Sequence, residues 1–235
     1  MLTAYIGCAP PWEGDLEKAL SLDVAAWAAI VSHETVDELG AAEPAASIPA
    51  AQRRRLPGFT RDVLRCALPL LRDKPRCPVV LTSPHGDLAS TVTLLTDVAH
   101  RQVLSPSLFG LSVHNAPTGA LSLCLGEPGD QTALAGDAGT LSVGLLEAYA
   151  RLATGEAACI LLCHAEERLP PVYAEFDDDA PGVVLAMILR LSDAAARPGV
   201  TAGRGRAGAV DVARALAAGA SRISCLPPRA EALAA

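Results

Sequence analysis

Apolar positions along this chain follow two alternating rhythms, and the switches between them mark out its elements. From Phe59 to Leu71, the residues Val63, Leu64, Ala67, Leu68 and Leu71 fall three and four apart, the spacing of a buried helix stripe, with Pro69 placed to kink or end it. Cys77 to Thr82 is a short run centred on Val79-Val80-Leu81, which reads as a buried strand stopping at the turn-forming Ser83-Pro84-His85-Gly86-Asp87. A second helix is predicted over Leu88 to His100, with Leu94, Leu95 and Val98 inward. A third is predicted around Leu141, Leu145, Leu146, Tyr149 and Leu152, stopping at Gly155. Ala158 to Cys163 is the next buried strand, and Gly182 to Leu191 is a long one entered from the acidic Asp177-Asp178-Asp179. Upstream, Thr3 to Ala9 reads as a first strand closed by Pro10-Pro11, Leu16 to Ile30 as helix around Trp27, and Gly40 to Pro49 as an Ala/Pro-rich loop. Beyond Ser192 the texture turns to Ala, Gly and Arg with one modest helix at about Ala209 to Ala218. Residues 1–192 are therefore expected to form the domain and 193–235 a tail or appended segment. Strands alternating with helices indicate a layered α/β fold.

Composition narrows the function classes. The 235 residues are 51% hydrophobic but only 3% aromatic, with a formal net charge of −7, so the chain can bury a core yet lacks the basic excess and stacking rings that nucleic acid requires. Seven cysteines, an odd number without CxxC pairs, read as reduced thiols rather than as a zinc site or a secreted framework. The N-terminus lacks the basic start of a signal peptide, and no apolar run approaches the ~18 residues of a membrane span, so a soluble, cytoplasmic protein is expected.

Several strings invite chemical readings. Gly203-Arg204-Gly205-Arg206-Ala207-Gly208 matches GxGxxG but follows Ala/Arg/Pro/Gly sequence rather than a strand, and Pro227 and Pro228 stand where the acidic partner belongs; a flexible basic loop is the better reading. Cys163-His164 beside Glu166 and Glu167 suggests an activated thiol, yet neighbours on a strand point to opposite faces, so a buried thiol beside an exposed or interface histidine is favoured. His114-Asn115 reads either as a polar anchor or as a turn satisfying local backbone groups. His33, His85 and His100 lack metal-ligand spacing, and Asp177 to Asp179 lacks the pattern of a calcium loop, so no metal is expected.

The stretch from Ser112 to Gly155 resembles the nucleophile region of ketoacyl-ACP synthases. In that family a glycine is followed seven residues later by a second and three later by a third, and Gly119, Gly126 and Gly129 keep this spacing. The family's nucleophilic cysteine comes nine residues after the third glycine, which here is Ala138, and the following helix ends at a glycine seventeen residues on, which here is Gly155. Leu162-Cys163-His164-Ala165-Glu166 keeps the end of the family's next turn but loses its two glycines. Ser105-Pro106 to Glu147, with Arg53-Arg54-Arg55 and Ser83-Pro84-His85-Gly86, is similar to the short ketosynthase-like proteins of aryl-polyene and xanthomonadin-type pigment clusters, which are regarded as chain-length-factor-like partners of a catalytic ketosynthase.

The resemblance implies an α/β thiolase-like fold, its N-terminal half, a layered α-β-α arrangement with a mixed sheet lacking a complete second repeat. The family's two catalytic histidines lie in that other half. It also implies a chain that does not condense alone, because Ala138 offers a methyl where a thiolate must attack. Implied partners are a catalytic ketosynthase, as a heterodimer or higher assembly, and an acyl carrier protein whose phosphopantetheine delivers the acyl chain; no cofactor belongs to the chain itself. Leu108, Phe109, Leu111, His114, Asn115, Asp137, Ala138 and Thr140 are the expected tunnel or interface residues. Arg53, Arg54 and Arg55 read either as a dock for the acidic carrier or as a solvated helix face. The rivals are an independent acyl hydrolase or acyltransferase using a thiol such as Cys163, and a self-associating scaffold without an acyl tunnel.

Overall fold

A computed structural model of the chain describes residues 20–33, 35–72, 77–192 and 198–225. Its elements run β1 (Leu20–Ser32), β2 (Val36–Gly40), a 3-10 turn (Ala45–Ser47), α1 (Ala50–Arg53), α2 (Gly58–Leu71), β3 (Val79–Thr82), α3 (Leu88–Ala99), α4 (Pro106–Ser112), α5 (Ala116–Leu125), β4 (Gln131–Leu134), α6 (Thr140–Ala153), β5 (Ile160–Glu166), a second 3-10 segment (Pro171–Phe176), β6 (Gly182–Leu191), β7 (Gly199–Thr201), α7 (Gly205–Ala217) and β8 (Arg222–Cys225). The expected α-β-α layering with a mixed sheet is the one observed.

The strands form one sheet in the order β4-β3-β5-β6-β1-β8-β7, with β2 pairing the far half of β1. β3 is parallel to both β4 and β5, β5 is antiparallel to β6, and β6 is antiparallel to β1. Alternation along each strand divides the core into two sheet faces. Val79, Leu81, Leu161, Cys163 and Ala186 face α2 and α5, whereas Val80, Ile160, Leu162, Leu185 and Met187 face α6 and α7. Burial of both faces explains why β3, β5 and β6 read as continuous apolar runs. Helix α6 lies close on the sheet because Gly144 has no side chain: a Cβ there would sit 2.4 Å from Thr82 Cγ2 and 2.8 Å from Leu162 Cδ1.

Three expectations change and a fourth is untested. The strand predicted over Thr3 to Ala9 lies outside the described residues. The helix predicted over Leu16 to Ile30 is instead the central strand β1, pairing β6 along nearly its whole length. Its Val24-Ala25-Ala26-Trp27-Ala28-Ala29-Ile30-Val31 run is alanine-rich and, apart from the exposed Ala25, buried or half-buried on both faces, a pattern in which periodicity does not separate strand from helix. On α3 only Leu94 of the predicted inward residues is buried; Leu95 and Val98 are 54% and 56% exposed. Finally, the segment read as a tail belongs to the domain as far as it is described. β8 pairs β1 at Leu20 to Asp23, β7 pairs β8, and Ala209, Val210, Val212, Ala213 and Leu216 of α7 are buried in the core.

Candidate functional site

The carboxyl ends of β3, β4 and β5 lie side by side, where turns leaving parallel strands bring side chains from distant sequence together. After β3, the Ser83 hydroxyl accepts from Gly86 N at 2.9 Å, and Asp87 caps α3 by accepting from Ser90 N at 2.9 Å. Gly86 has φ +62°, and a Cβ there would stand 3.2 Å from His114 Nδ1. His114 therefore fills the space beside this turn, and its Nε2 lies 3.2 Å from the carbonyl oxygen of Leu134, the last residue of β4.

Between β4 and α6 the chain makes a sharp elbow, Ala135 to Gly139. Thr140, buried at the first turn of α6, organises it: its hydroxyl donates to Asp137 O at 2.7 Å and accepts from Gly136 N at 3.1 Å. Asp137 Oδ1 accepts from Gly139 N at 2.8 Å. Ala138 sits at the crest, exposed, two residues before the helix begins. This is the place where a nucleophile would meet the partial positive charge of a helix N-terminus, and it carries a methyl group.

Facing the elbow is a pocket of about 300 Å³ lined by Pro84, His85, Asp137, Ala138, Glu166, Leu169, Phe176, Asp177, Asp178, Gly205 and Arg206. Its far wall comes from the GxGxxG string, which is not a flexible loop. It links β7 to α7, and a Cβ on Gly208 would fall 2.3 Å from the carbonyl carbon of Gly203. Two of its residues turn their donors toward the protein. Gly205 N donates to Ala138 O at 2.7 Å. Arg206, 2% exposed, donates to Glu167 O at 2.9 Å and to the carboxylates of Asp177 and Asp178. Burial acts to raise the Asp177 carboxyl, but Arg206 and the backbone amides of Leu169 and Asp179 outweigh it and hold the group below its ordinary range. The Gly205 amide and the Arg206 NH groups are thus spent on protein partners rather than held out to a dinucleotide phosphate.

Beneath the elbow lies His164, 1% exposed, so the exposed or interface histidine expected from sequence is a buried one. Its Nδ1 is 3.1 Å from the Thr82 hydroxyl, and its Nε2 lies 3.6 Å from Glu166 Oε2 with no hydrogen-bond partner. Cys163 points to the other face, into the α2 and α5 cluster, where burial pushes its thiol up to about 12. Cys66 is raised there for the same reason, with Cys163 and Asp62 adding to it. Neither thiol supplies thiolate near neutral pH. Glu167 is also shifted: burial, then Asp87 and Asp62, push its carboxyl to about 7.

The tunnel or interface residues named from the resemblance fall in three places. Asp137 and Ala138 line the pocket, with Thr140 buried under it. His114 and Asn115 line a separate groove of about 660 Å³ along β4, with Thr118, Ser122, Pro128, Gly129, Gln131 and Ala133. Leu108 and Leu111 of α4 are partly buried, whereas Phe109 is exposed. Arg53 bonds Ala45 O and Arg54 bonds Ala50 O, each at 3.3 Å; Arg54 and Arg55 are exposed. Sequence reasoning missed His164 as a buried group under the elbow, and missed Arg206 and Glu167. Arg206 alone had a signal, its place inside a glycine-rich string.

Among the described residues no helix is long and apolar enough to cross a membrane. A search of curated proteins finds no match to the chain. Among solved structures, the chain is similar to a ketosynthase (ApeO) in complex with its chain length factor (ApeC) from Xenorhabdus doucetiae, with 24% identity, a TM-score of 0.64, and 77% of this chain aligned with 85% of that one. It is similar to the ishigamide ketosynthase/chain length factor at 16% identity and TM-score 0.55, aligning 76% of this chain with 64% of that one. It is also similar to a beta-ketoacyl synthase from Burkholderia phymatum STM815 at 14% identity and TM-score 0.57, aligning 73% of this chain with 59% of that one. In the last two cases the match spans less than two thirds of the solved chain. At these identities the structural likeness establishes the fold. The model of the beta-ketoacyl synthase N-terminal domain matches residues 26–222, most of the sequence, so the chain belongs to the beta-ketoacyl synthase family.

Proposed function

We propose that this chain is a non-catalytic, chain-length-factor-like subunit that pairs with a catalytic ketosynthase and helps shape the tunnel in which a carrier-bound acyl chain grows. The observation that carries this reading is the elbow between β4 and α6. Its hydrogen bonds and helix start are in place, and its crest is Ala138. Decarboxylative condensation needs a nucleophile to accept the acyl group, and a methyl has no lone pair to give. Structures described as ketosynthase and chain-length-factor complexes among its neighbours support the pairing.

The surface suits such a partner. β4 stands at the end of the sheet, and no strand among the described residues pairs its outer edge. Exposed Leu95, Val98, Val103, Leu104, Phe109, Val113 and Leu123 come from α3, α5 and the α4 region, with Val103 95% exposed. An open strand edge with apolar residues nearby is the kind of surface that proteins ordinarily cover. In this reading Leu108, Phe109, Leu111, His114 and Asn115 face the partner or the tunnel, and Arg53, Arg54 and Arg55 receive the acidic carrier protein, whose phosphopantetheine brings the acyl group. An independent hydrolase is less consistent with the structure, because Cys163 is enclosed and its thiol stays protonated near neutral pH.

The test is co-expression with a ketosynthase that keeps its cysteine and is encoded in the same gene cluster, followed by size-exclusion chromatography with mass detection. A stable heterodimer is expected, condensing malonyl and acyl units only when both subunits are present. Absence of a complex, or condensation by this chain alone, overturns the proposal.

A further inference from the structure

The amino ends of β3 and β5 hold a feature unrelated to the elbow. Val79 pairs Leu161 in the parallel ladder, and Leu161 N donates to Pro78 O at 2.9 Å, so two residues upstream on each chain Cys77 stands opposite Cys159. Cys77 belongs to the core cluster on the α2 and α5 face, and Cys159 packs against that same cluster, so both side chains lie on one face. Their sulfurs are 3.0 Å apart. Neighbouring strands run about 4.7–4.9 Å apart, inside the ~4.4–6.8 Å between Cα atoms that a disulfide spans, so closing this bond needs a sulfur shift of about 1 Å and little backbone movement.

We propose that Cys77 and Cys159 form an oxidant-responsive dithiol that closes to a disulfide between β3 and β5. Both are thiols in the structure, and the Cys159 sulfur donates to that of Cys77. The exposures set the order of events: Cys77 is 5% exposed, while Cys159 is only partly buried and is the sulfur a peroxide reaches first. Cys159 thiolate attacks one oxygen of hydrogen peroxide, the O–O bond breaks, and the departing hydroxide takes a proton, leaving water and a sulfenic acid on Cys159. The Cys77 sulfur then attacks the Cys159 sulfur, losing its proton and expelling the sulfenic oxygen as a second water. In sum, two thiols and one peroxide give one disulfide and two waters, and a small dithiol reductant reverses the bond by exchange. Cys66 and Cys163 are buried deeper on the same sheet face and their thiols are pushed up, which keeps them out of the reaction. The bridge tethers two strands at the end of the sheet opposite the Ala138 pocket, closing a loop between positions 82 apart that holds α3 to α6. It therefore restrains the unfolded chain strongly without reshaping the site.

The test exposes the full-length purified chain to equimolar hydrogen peroxide, then unfolds it in denaturant and alkylates it with iodoacetamide, with intact mass and peptide mapping as readouts and thermal melting followed on the oxidised, unalkylated protein. The expected result is that two of the seven thiols escape alkylation, that fragmentation assigns the bridge to Cys77 and Cys159 with a loss of about 2 Da reversed by dithiothreitol, and that the oxidised form melts higher. Cys163→Ser, whose position shares a tryptic peptide with Cys159, is expected to leave the bridge intact. Cys159→Ser, at a partly exposed position that tolerates the change, is expected to abolish both the bridge and the rise in melting temperature. Retention of all seven thiols, a stable sulfenic or sulfinic acid on Cys159 in the unaltered chain, or a bridge from Cys159 to any other cysteine overturns the proposal.

Discussion

Two strand–turn–helix junctions face each other across the same pocket, the elbow leading into α6 and the glycine loop leading into α7, and they use the same geometry in opposite ways. Each aims the start of a helix at the pocket. At the α7 junction the main donors are turned inward: Gly205 N bonds the elbow's own carbonyl at Ala138, and the Arg206 NH groups are sunk between Glu167 O, Asp177 and Asp178. At the α6 junction the turn is held by its own Thr140 and Asp137, and the crest is left open to solvent. A junction whose donors are spent inward is architecture. A junction whose crest is free is where chemistry would sit, and here it holds a methyl.

The sharpest way to break this comparison is to remove the cation that consumes the α7 junction. Arg206→Met takes from the buried Asp177 its nearest cation, leaving Arg168 at 3.7 Å and two backbone amides, and losing one member of a buried pair costs about 3–5 kcal/mol. A fall in Tm of about 10 °C by calorimetry is expected for a chain of this size. Gly208→Ala attacks the same junction through sterics, since the added Cβ would meet Gly203 at 2.3 Å. Melting unchanged in both variants would show that the α7 junction is not the structural one.

A smaller effect comes from the carboxylates, and their signs differ. Asp177 has a lowered folded value, so its contribution is present above its unfolded value near 3.8 and is lost as pH falls below that. Glu167 is raised from 4.5 to about 7, so folding favours its protonated form; that contribution is complete below 4.5 and is lost as pH rises to about 7. Glu167→Gln is expected to flatten the decline between pH 4.5 and 7 and to stabilise the protein at pH 8 by about 2 kcal/mol, measured as denaturant midpoints across pH. An unaltered pH profile would mean that Glu167 carries no such penalty.

How much of this was legible in the sequence depended on whether an element announces itself locally. α2, α6, β3, β5 and β6 combine apolar periodicity or runs with turn residues at their ends, and they stand where expected. β1 was misread because an alanine-rich stretch buried on both sides has no period to distinguish it. β4, β7 and β8 are three or four residues long, too short for a pattern, and the joining of β8 to β1 is a contact between residues about 200 positions apart. Leu95 and Val98 show the limit of hydrophobicity as a guide to burial, because an apolar helix face can point outward. At the site, Ala138 was reachable by counting from Gly119, Gly126, Gly129 and Gly155. His164 and Arg206 were not, since their surroundings are assembled from Thr82, Glu167 and Asp177 at distant positions.

The gentlest perturbation asks the most direct question. Ala138 is exposed on a turn, so Ala138→Cys is expected to change stability by less than about 0.5 kcal/mol. Its effect should appear in reactivity. The introduced thiol would stand at the start of α6, open to reagent, while Cys66 and Cys163 are enclosed and held protonated by burial. Iodoacetamide at neutral pH is therefore expected to label position 138 at least about tenfold faster than either buried cysteine, read by intact mass and peptide mapping over time. The same variant assayed alone is expected to remain inactive in condensation, because a sulfur atom without donors placed for the carbanion formed on loss of carbon dioxide completes only one part of the chemistry. Slow labelling would show that the crest is covered and the two junctions are alike. Condensation by the unpartnered variant would show that the single methyl at position 138 is all that separates this chain from a working enzyme.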